Sequence, residues 1–132
     1  MAAPTFEREY EINASRAILF PYIHTAAGLA QWFADDVNLD FKKNFLFYWD
    51  GEVQPATLAS ARRDQYVRFE YLNDNGQASD DQPFVEFYLE KNEFTDTTFL
   101  RVVDGTGEMD DEEELEDIWD GMVDALKELV GG

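Results

Sequence analysis

The residues with the most chemical potential are two neighbouring aspartates behind two large rings, in the stretch "GLAQWFADD" at 28–36. Asp35 and Asp36 could hold a cation or share a proton, because adjacent like charges push one carboxyl pKa upward. Neighbours on an extended chain point to opposite faces, however, so spacing alone does not bring the two together. The pattern fits better a pair of exposed aspartates at a helix-to-strand turn, with Trp32 and Phe33 in the core or in a cavity wall. His24 is the only histidine, which removes any two-histidine metal site or paired relay. A serine triad would draw on Ser15, Ser60 or Ser79, and no GxSxG elbow accompanies them. The run "DDEEELED" at 110–117 lacks the alternating ligands and central glycine of a calcium loop. It reads instead as the acidic first turn of a helix, which the macrodipole favours, with Asp120, Asp124 and Glu128 continuing an outer face. The expectation is no catalytic residue, no metal and no cofactor.

The aromatic residues are the larger set, with 11 Phe, 6 Tyr and 3 Trp. Phe45, Phe47, Trp49, Phe69, Tyr71 and Phe87 fall on one face of consecutive alternating segments. Trp32, Trp119 and Met122 lie on helical patterns that would oppose them. These nine residues either fill a core or line an apolar ligand-binding cavity, with Tyr71, Arg8 and Thr98 as polar tips to orient a ligand. A register error of one residue would exchange the inward and outward sets.

The elements that must position them follow from periodicity. "FEREYEI" at 6–12 alternates, with Phe6, Arg8, Tyr10 and Ile12 opposite three glutamates. "NASRAILFPYI" predicts a short helix capped by Asn13 or Ser15, with Ala17, Ile18 and Phe20 on its buried side and Pro21 limiting it. "TAAGLAQWF" predicts a second short helix opened by Thr25, burying Leu29, Trp32 and Phe33. Period-two segments then occupy 37–41, 44–51, 52–61, 65–72, 84–94 and 95–104. Asp50–Gly51 is a hairpin signal, and Pro55 marks its segment as an edge or a bulge. "NDNGQASDDQP" at 73–83 reads as a loop. Leu115, Ile118, Trp119, Met122, Leu126 and Leu129 recur at helical steps, predicting a long final helix with Asp110 and Glu113 as a capping box. Residues 1–132 form one α+β domain on this reading. A curved antiparallel sheet of about six to seven strands wraps a long C-terminal helix, with two short helices between the first and second strands.

The whole chain carries 29 acidic and 10 basic residues, a formal net charge of −19. That charge repels phosphate backbones and anionic headgroups, so neither a nucleic-acid partner nor membrane insertion is expected. The absence of cysteine removes disulfides and thiolate chemistry. No signal peptide is visible, and no apolar run approaches the roughly 18 residues that span a bilayer. A cytoplasmic protein is expected.

The segments "EYEINASRAILFPYI", "GLAQWFADD", "NFLFYWDGEV", "YVRFEYL", "TTFLRV" and "IWDGMVDALKEL" together resemble the START-like, or helix-grip, superfamily, typified by the birch-pollen allergen and polyketide cyclases. Within it the chain is most similar to small bacterial relatives of the activator of the ninety-kilodalton heat-shock chaperone's ATPase. The resemblance covers nearly the whole chain and implies the helix-grip fold. It hosts lipid carriers, cyclases, hormone receptors and co-chaperones, so fold alone does not choose among them. Three functions follow as expectations. The first is non-enzymatic binding of a small apolar or amphipathic ligand between sheet and final helix. The second is a co-chaperone-like interaction module acting through the acidic helix. The third is a cyclase- or hydrolase-like enzyme.

Overall fold

The computed structural model describes residues 5–73, 83–105 and 112–131. Its elements run β1 Phe6–Ile12, α1 Arg16–His24, α2 Ala26–Leu29, β2 Asp36–Leu39, β3 Phe45–Trp49, β4 Glu52–Arg62, β5 Tyr66–Tyr71, β6 Phe84–Asn92, β7 Thr97–Asp104 and α3 Glu112–Val130. The strands form one antiparallel sheet in the order β1-β7-β6-β5-β4-β3-β2. The consecutive strands β1 and β2 lie at opposite edges of the sheet, and α1 and α2 fill the connection between them. This is the expected helix grip. The predicted cap at Asp110 lies outside the described residues.

Alternation fixes the inner face. Val67 and Phe69 of β5, Val85, Phe87 and Leu89 of β6, and Thr98, Leu100 and Val102 of β7 are all buried. Their neighbours face outward and form a charged lattice. Arg68 pairs with Glu70 and Glu86, and Arg101 pairs with Glu7 and Glu90. The Arg101 guanidinium also lies 4.1 Å from the Tyr88 ring centroid.

Several local readings are corrected. Helix α1 buries Leu19 and Ile23, leaving Ile18 54% exposed, because α1 turns its Leu19 side to the sheet. Helix α2 stops at Leu29, so Trp32 and Phe33 project from the turn that follows it. Strand β2 ends at Leu39, and Leu39 and Phe41 are exposed because none of the described residues covers that edge of the sheet. Strand β4 carries the anticipated irregularity, a register shift between Leu58 and Ser60, but it is not an edge. It lies inside the sheet between β3 and β5 and accommodates Pro55 there. The reason is visible in the ladder. Leu72 N–H donates to the Pro55 carbonyl at 2.9 Å, and the proline cannot return the bond. The Gln54 side-chain amide donates to the Leu72 carbonyl at 3.0 Å and takes the place of the missing N–H.

Two tight points position the site. Asp50 and Gly51 both have positive φ, 52° and 80°, forming the two-residue turn between β3 and β4. Gly28 lets α2 lie directly on α1, where a Cβ would come within 2.1 Å of the Pro21 carbonyl oxygen. Thr25 joins the same helices. Its hydroxyl donates to the Pro21 carbonyl at 2.7 Å and accepts from Gly28 N–H at 2.9 Å.

Candidate functional site

The short helices aim one side chain into the middle of the grip. Phe33 meets the rings of Trp32, Phe47, Trp49, Phe87 and Trp119 at centroid distances of 5.2 to 5.8 Å. It stacks on Trp119 at 28° and stands edge-on to the others on the sheet. The centre of the grip is thus packed with rings. Phe47, Phe69 and Phe87 are fully buried there, and Phe45 is buried beside them.

What stays open is a groove of about 960 Å³ at the end of the sheet where β3 turns into β4 and β5 ends. Trp32, Trp49, Tyr71, Trp119 and Met122 all stand in its wall. Phe45, Phe47, Phe69 and Phe87 lie behind that wall, in the ring cluster. Of the three polar tips anticipated, Tyr71 lines the groove. Arg8 is engaged by Glu116 and, at 3.1 Å, by Asp120. Thr98 lines a second hollow of about 820 Å³ at the opposite end of the sheet. That hollow has charged walls of both signs, including Glu11, Arg16, Asp64 and Lys127, which suits it poorly to an apolar guest.

The groove wall is rigid because each indole N–H is held by the protein. Trp32 donates to the Tyr22 carbonyl at 2.8 Å, Trp49 to the Phe33 carbonyl at 2.9 Å, and Trp119 to the Asp104 carboxylate at 2.9 Å. Asp104 is a buried carboxylate at the groove floor and was not singled out from the sequence. Its signal was its place as the next inward position after Thr98, Leu100 and Val102, where an aspartate breaks an apolar series.

Helix α3 has three longitudinal stripes. At about 100° per residue, Trp119, Val123, Leu126 and Val130 lie within about 60° of one another, and this stripe meets the core. Glu116 and Asp120 form one flank and bind β1 through Arg8, while Tyr10 donates its hydroxyl to Asp120 at 2.8 Å. Asp120 therefore faces β1 and does not belong to the outer acidic face. The other flank, Leu115, Ile118 and Met122, borders the groove. Val123 was missed in the sequence, and Ile118 and Leu129, placed there on the buried stripe, are 44% and 39% exposed.

The two aspartates of "GLAQWFADD" do not converge as a site. The Asp35 carboxylate accepts from Asp50 N–H at 2.8 Å, tying the turn after α2 to the β3–β4 hairpin. Asp36 accepts from Val37 N–H at 2.9 Å. His24 stacks on Phe20 at 4.8 Å between ring centroids, away from the groove. Among the described residues, no group of three His, Cys, Asp or Glu could hold a metal ion. No described helix is long and apolar enough to cross a membrane.

A family model for the START-like superfamily domain matches residues 2–132. The chain belongs to that superfamily. The solved structures similar to this START-like domain include the Aha1 dimer from Colwellia psychrerythraea, at 16% identity and a TM-score of 0.74, with 96% of each chain covered. A Bacteroides fragilis protein is 30% identical at a TM-score of 0.61, covering 98% of this chain and 92% of the other. A Bacillus halodurans protein is 20% identical at a TM-score of 0.70, with 96% of each chain covered. No curated protein matches the sequence.

Proposed function

We propose that this START-like domain binds a small apolar or amphipathic molecule in the groove between the sheet end and α3, without catalysing a reaction. The observation that carries the reading is the width of the apolar stripe on α3. Leu115, Ile118 and Met122 extend it beyond the part the sheet covers, and all three face the groove. The indoles, whose N–H groups are already engaged, present only apolar surface to a guest, and Tyr71 adds a polar tip, which fits a pocket of this type. The nine aromatic and Met positions then divide into two roles. Trp32, Trp49, Tyr71, Trp119 and Met122 touch the guest, while Phe45, Phe47, Phe69 and Phe87 hold that wall in place.

The test is native mass spectrometry of the protein purified from its own host, with a solvent extract analysed alongside. A co-purifying amphipathic molecule at near one-to-one stoichiometry supports the reading. A domain that carries no small molecule and brings down a defined protein overturns it.

One observation favours a second reading, an interaction surface on α3. Exposed Ile118 and Leu129 stand among the exposed carboxylates Asp117, Asp124 and Glu128. That mixture suits a partner with a basic, partly apolar face. The double substitution Asp124→Lys with Glu128→Lys would abolish capture of such a partner and leave ligand binding intact.

A further inference from the structure

We infer that the groove selects cationic amphiphiles, molecules with an apolar body and a positively charged nitrogen, over anionic ones of the same length. This rests on the ligand-binding reading above and names the chemical class of the guest.

The groove wall carries acidic side chains and no basic ones. None of the ten lysines and arginines, nor the histidine, lines the groove. Asp35, Glu52 and Asp104 do line it. The sequence between Asn73 and Pro83 and between Gly105 and Glu112 holds no Lys, Arg or His, so neither stretch can bring a cation to the rim. An anionic headgroup would also need N–H or O–H donors. The three indole N–H groups donate to protein acceptors, the Gln54 amide is used on Pro55 and Leu72, and the Gln31 amide donates to the Ala27 carbonyl at 3.4 Å. The Tyr71 hydroxyl and the Asn73 amide are the other side-chain donors on the wall, and neither is charged. A carboxylate or sulfate entering this groove would lose water and meet carboxylates. A quaternary or protonated amine would meet negative charge at the rim beside the partly exposed Trp49 ring, both of which attract it.

The experiment uses the tryptophans as reporters, since all three of the chain's Trp residues line the groove. Indole emission is titrated with octyltrimethylammonium, octyl glucoside and octyl sulfate, each below its micelle concentration, in about 0.15 M salt to shorten the screening length to about 8 Å. The same titrations are run on Glu52→Gln, at the exposed groove rim, and Asp124→Asn, on the exposed outer face of α3. These two variants change the net charge equally.

The inference predicts that the cation binds about tenfold tighter than the anion, with the neutral probe between them. Glu52→Gln narrows that gap by roughly threefold, and Asp124→Asn leaves it unchanged. Equal binding of the three probes, or tightest binding of the sulfate, overturns the selectivity and leaves the ligand-binding reading standing. Equal narrowing by both variants assigns the preference to the field of the whole protein and also overturns it. Failure of all three probes to bind overturns the ligand-binding reading itself.

Discussion

The indole N–H of Trp119 donates to the carboxylate of Asp104 at 2.9 Å, a buried bond that ties the final helix to the end of the last strand beneath the groove. It joins the helix that forms one wall of the groove to the strand end that forms its floor. A hydrogen bond to a charged group contributes about 1.5–3 kcal/mol. Trp119→Phe keeps an aromatic ring and removes the donor. Its midpoint in chemical denaturation should fall by an amount corresponding to roughly 1–3 kcal/mol, with an unchanged slope.

Tyr10 sets an alkaline limit on stability. Burial, and then the hydrogen bond to Asp120, raise its phenol well above the ordinary value of 10.0. The folded chain therefore holds this proton more tightly than the unfolded chain does. The contribution is complete below pH 10 and is lost as pH rises from there toward the raised folded-state value. Above pH 10 stability should fall by up to about 1.4 kcal/mol per pH unit from this group, and Tyr10→Phe should remove that part of the slope. Tyr88, raised chiefly by burial and by Glu86, adds a slope of the same sign that survives the substitution. Urea midpoints from pH 8 to 11 measure both.

Gln54 and Pro55 form a coupled pair. Gln54→Ala should cost about 1 kcal/mol, because it strips the only replacement for the missing proline N–H. In the Pro55→Ala background the backbone can make that bond itself, and the same Gln54→Ala change should cost nearly nothing. A double-mutant cycle in denaturant gives the coupling directly.

Gly28→Ala should destabilise the domain by at least 1–3 kcal/mol, on the scale of an overpacked core. The clash is with the α1 backbone at 2.1 Å, which cannot turn aside as a flexible side chain would. Because α2 carries the turn that projects Phe33, the same variant should loosen the ring cluster and broaden the near-ultraviolet circular dichroism of its tryptophans.

The strands and their inward faces were legible because alternation survives wherever one face is buried, as in Val67–Phe69 and Val85–Phe87–Leu89. The helices were less so. On α1, Ile18 and Leu19 are adjacent and equally apolar, and only the direction of α1 against the sheet decides between them. On α3, periodicity showed an apolar stripe but could not show that the sheet covers one half of it and the groove lies along the other. Pro55 signalled an edge or a bulge, and its strand does bulge between Leu58 and Ser60. That the strand is nevertheless internal depends on a repair from the side chain of the proline's own neighbour. The groove itself arises from distant segments, the turn after α2, the β3–β4 hairpin, the ends of β5 and β7, and α3, whose meeting no single window contains. Phe33 was recognised as a core or cavity-wall residue, yet its place at the centre of five rings depends on that same meeting.

The central claim is that the groove beside Trp32, Trp49 and Trp119 is where a small amphipathic molecule sits. Its most direct test is a ¹⁵N–¹H correlation spectrum of the labelled protein titrated with octyl glucoside below its micelle concentration. Each of the three indole N–H groups has its own acceptor, so each reports separately. The account predicts that all three indole signals shift saturably with one binding constant, while the amides of Asn13 to Arg16 at the far end of the sheet stay in place. Shifts confined to Asp117, Asp124 and Glu128 on the outer face of α3, or no indole shift at all, would contradict it.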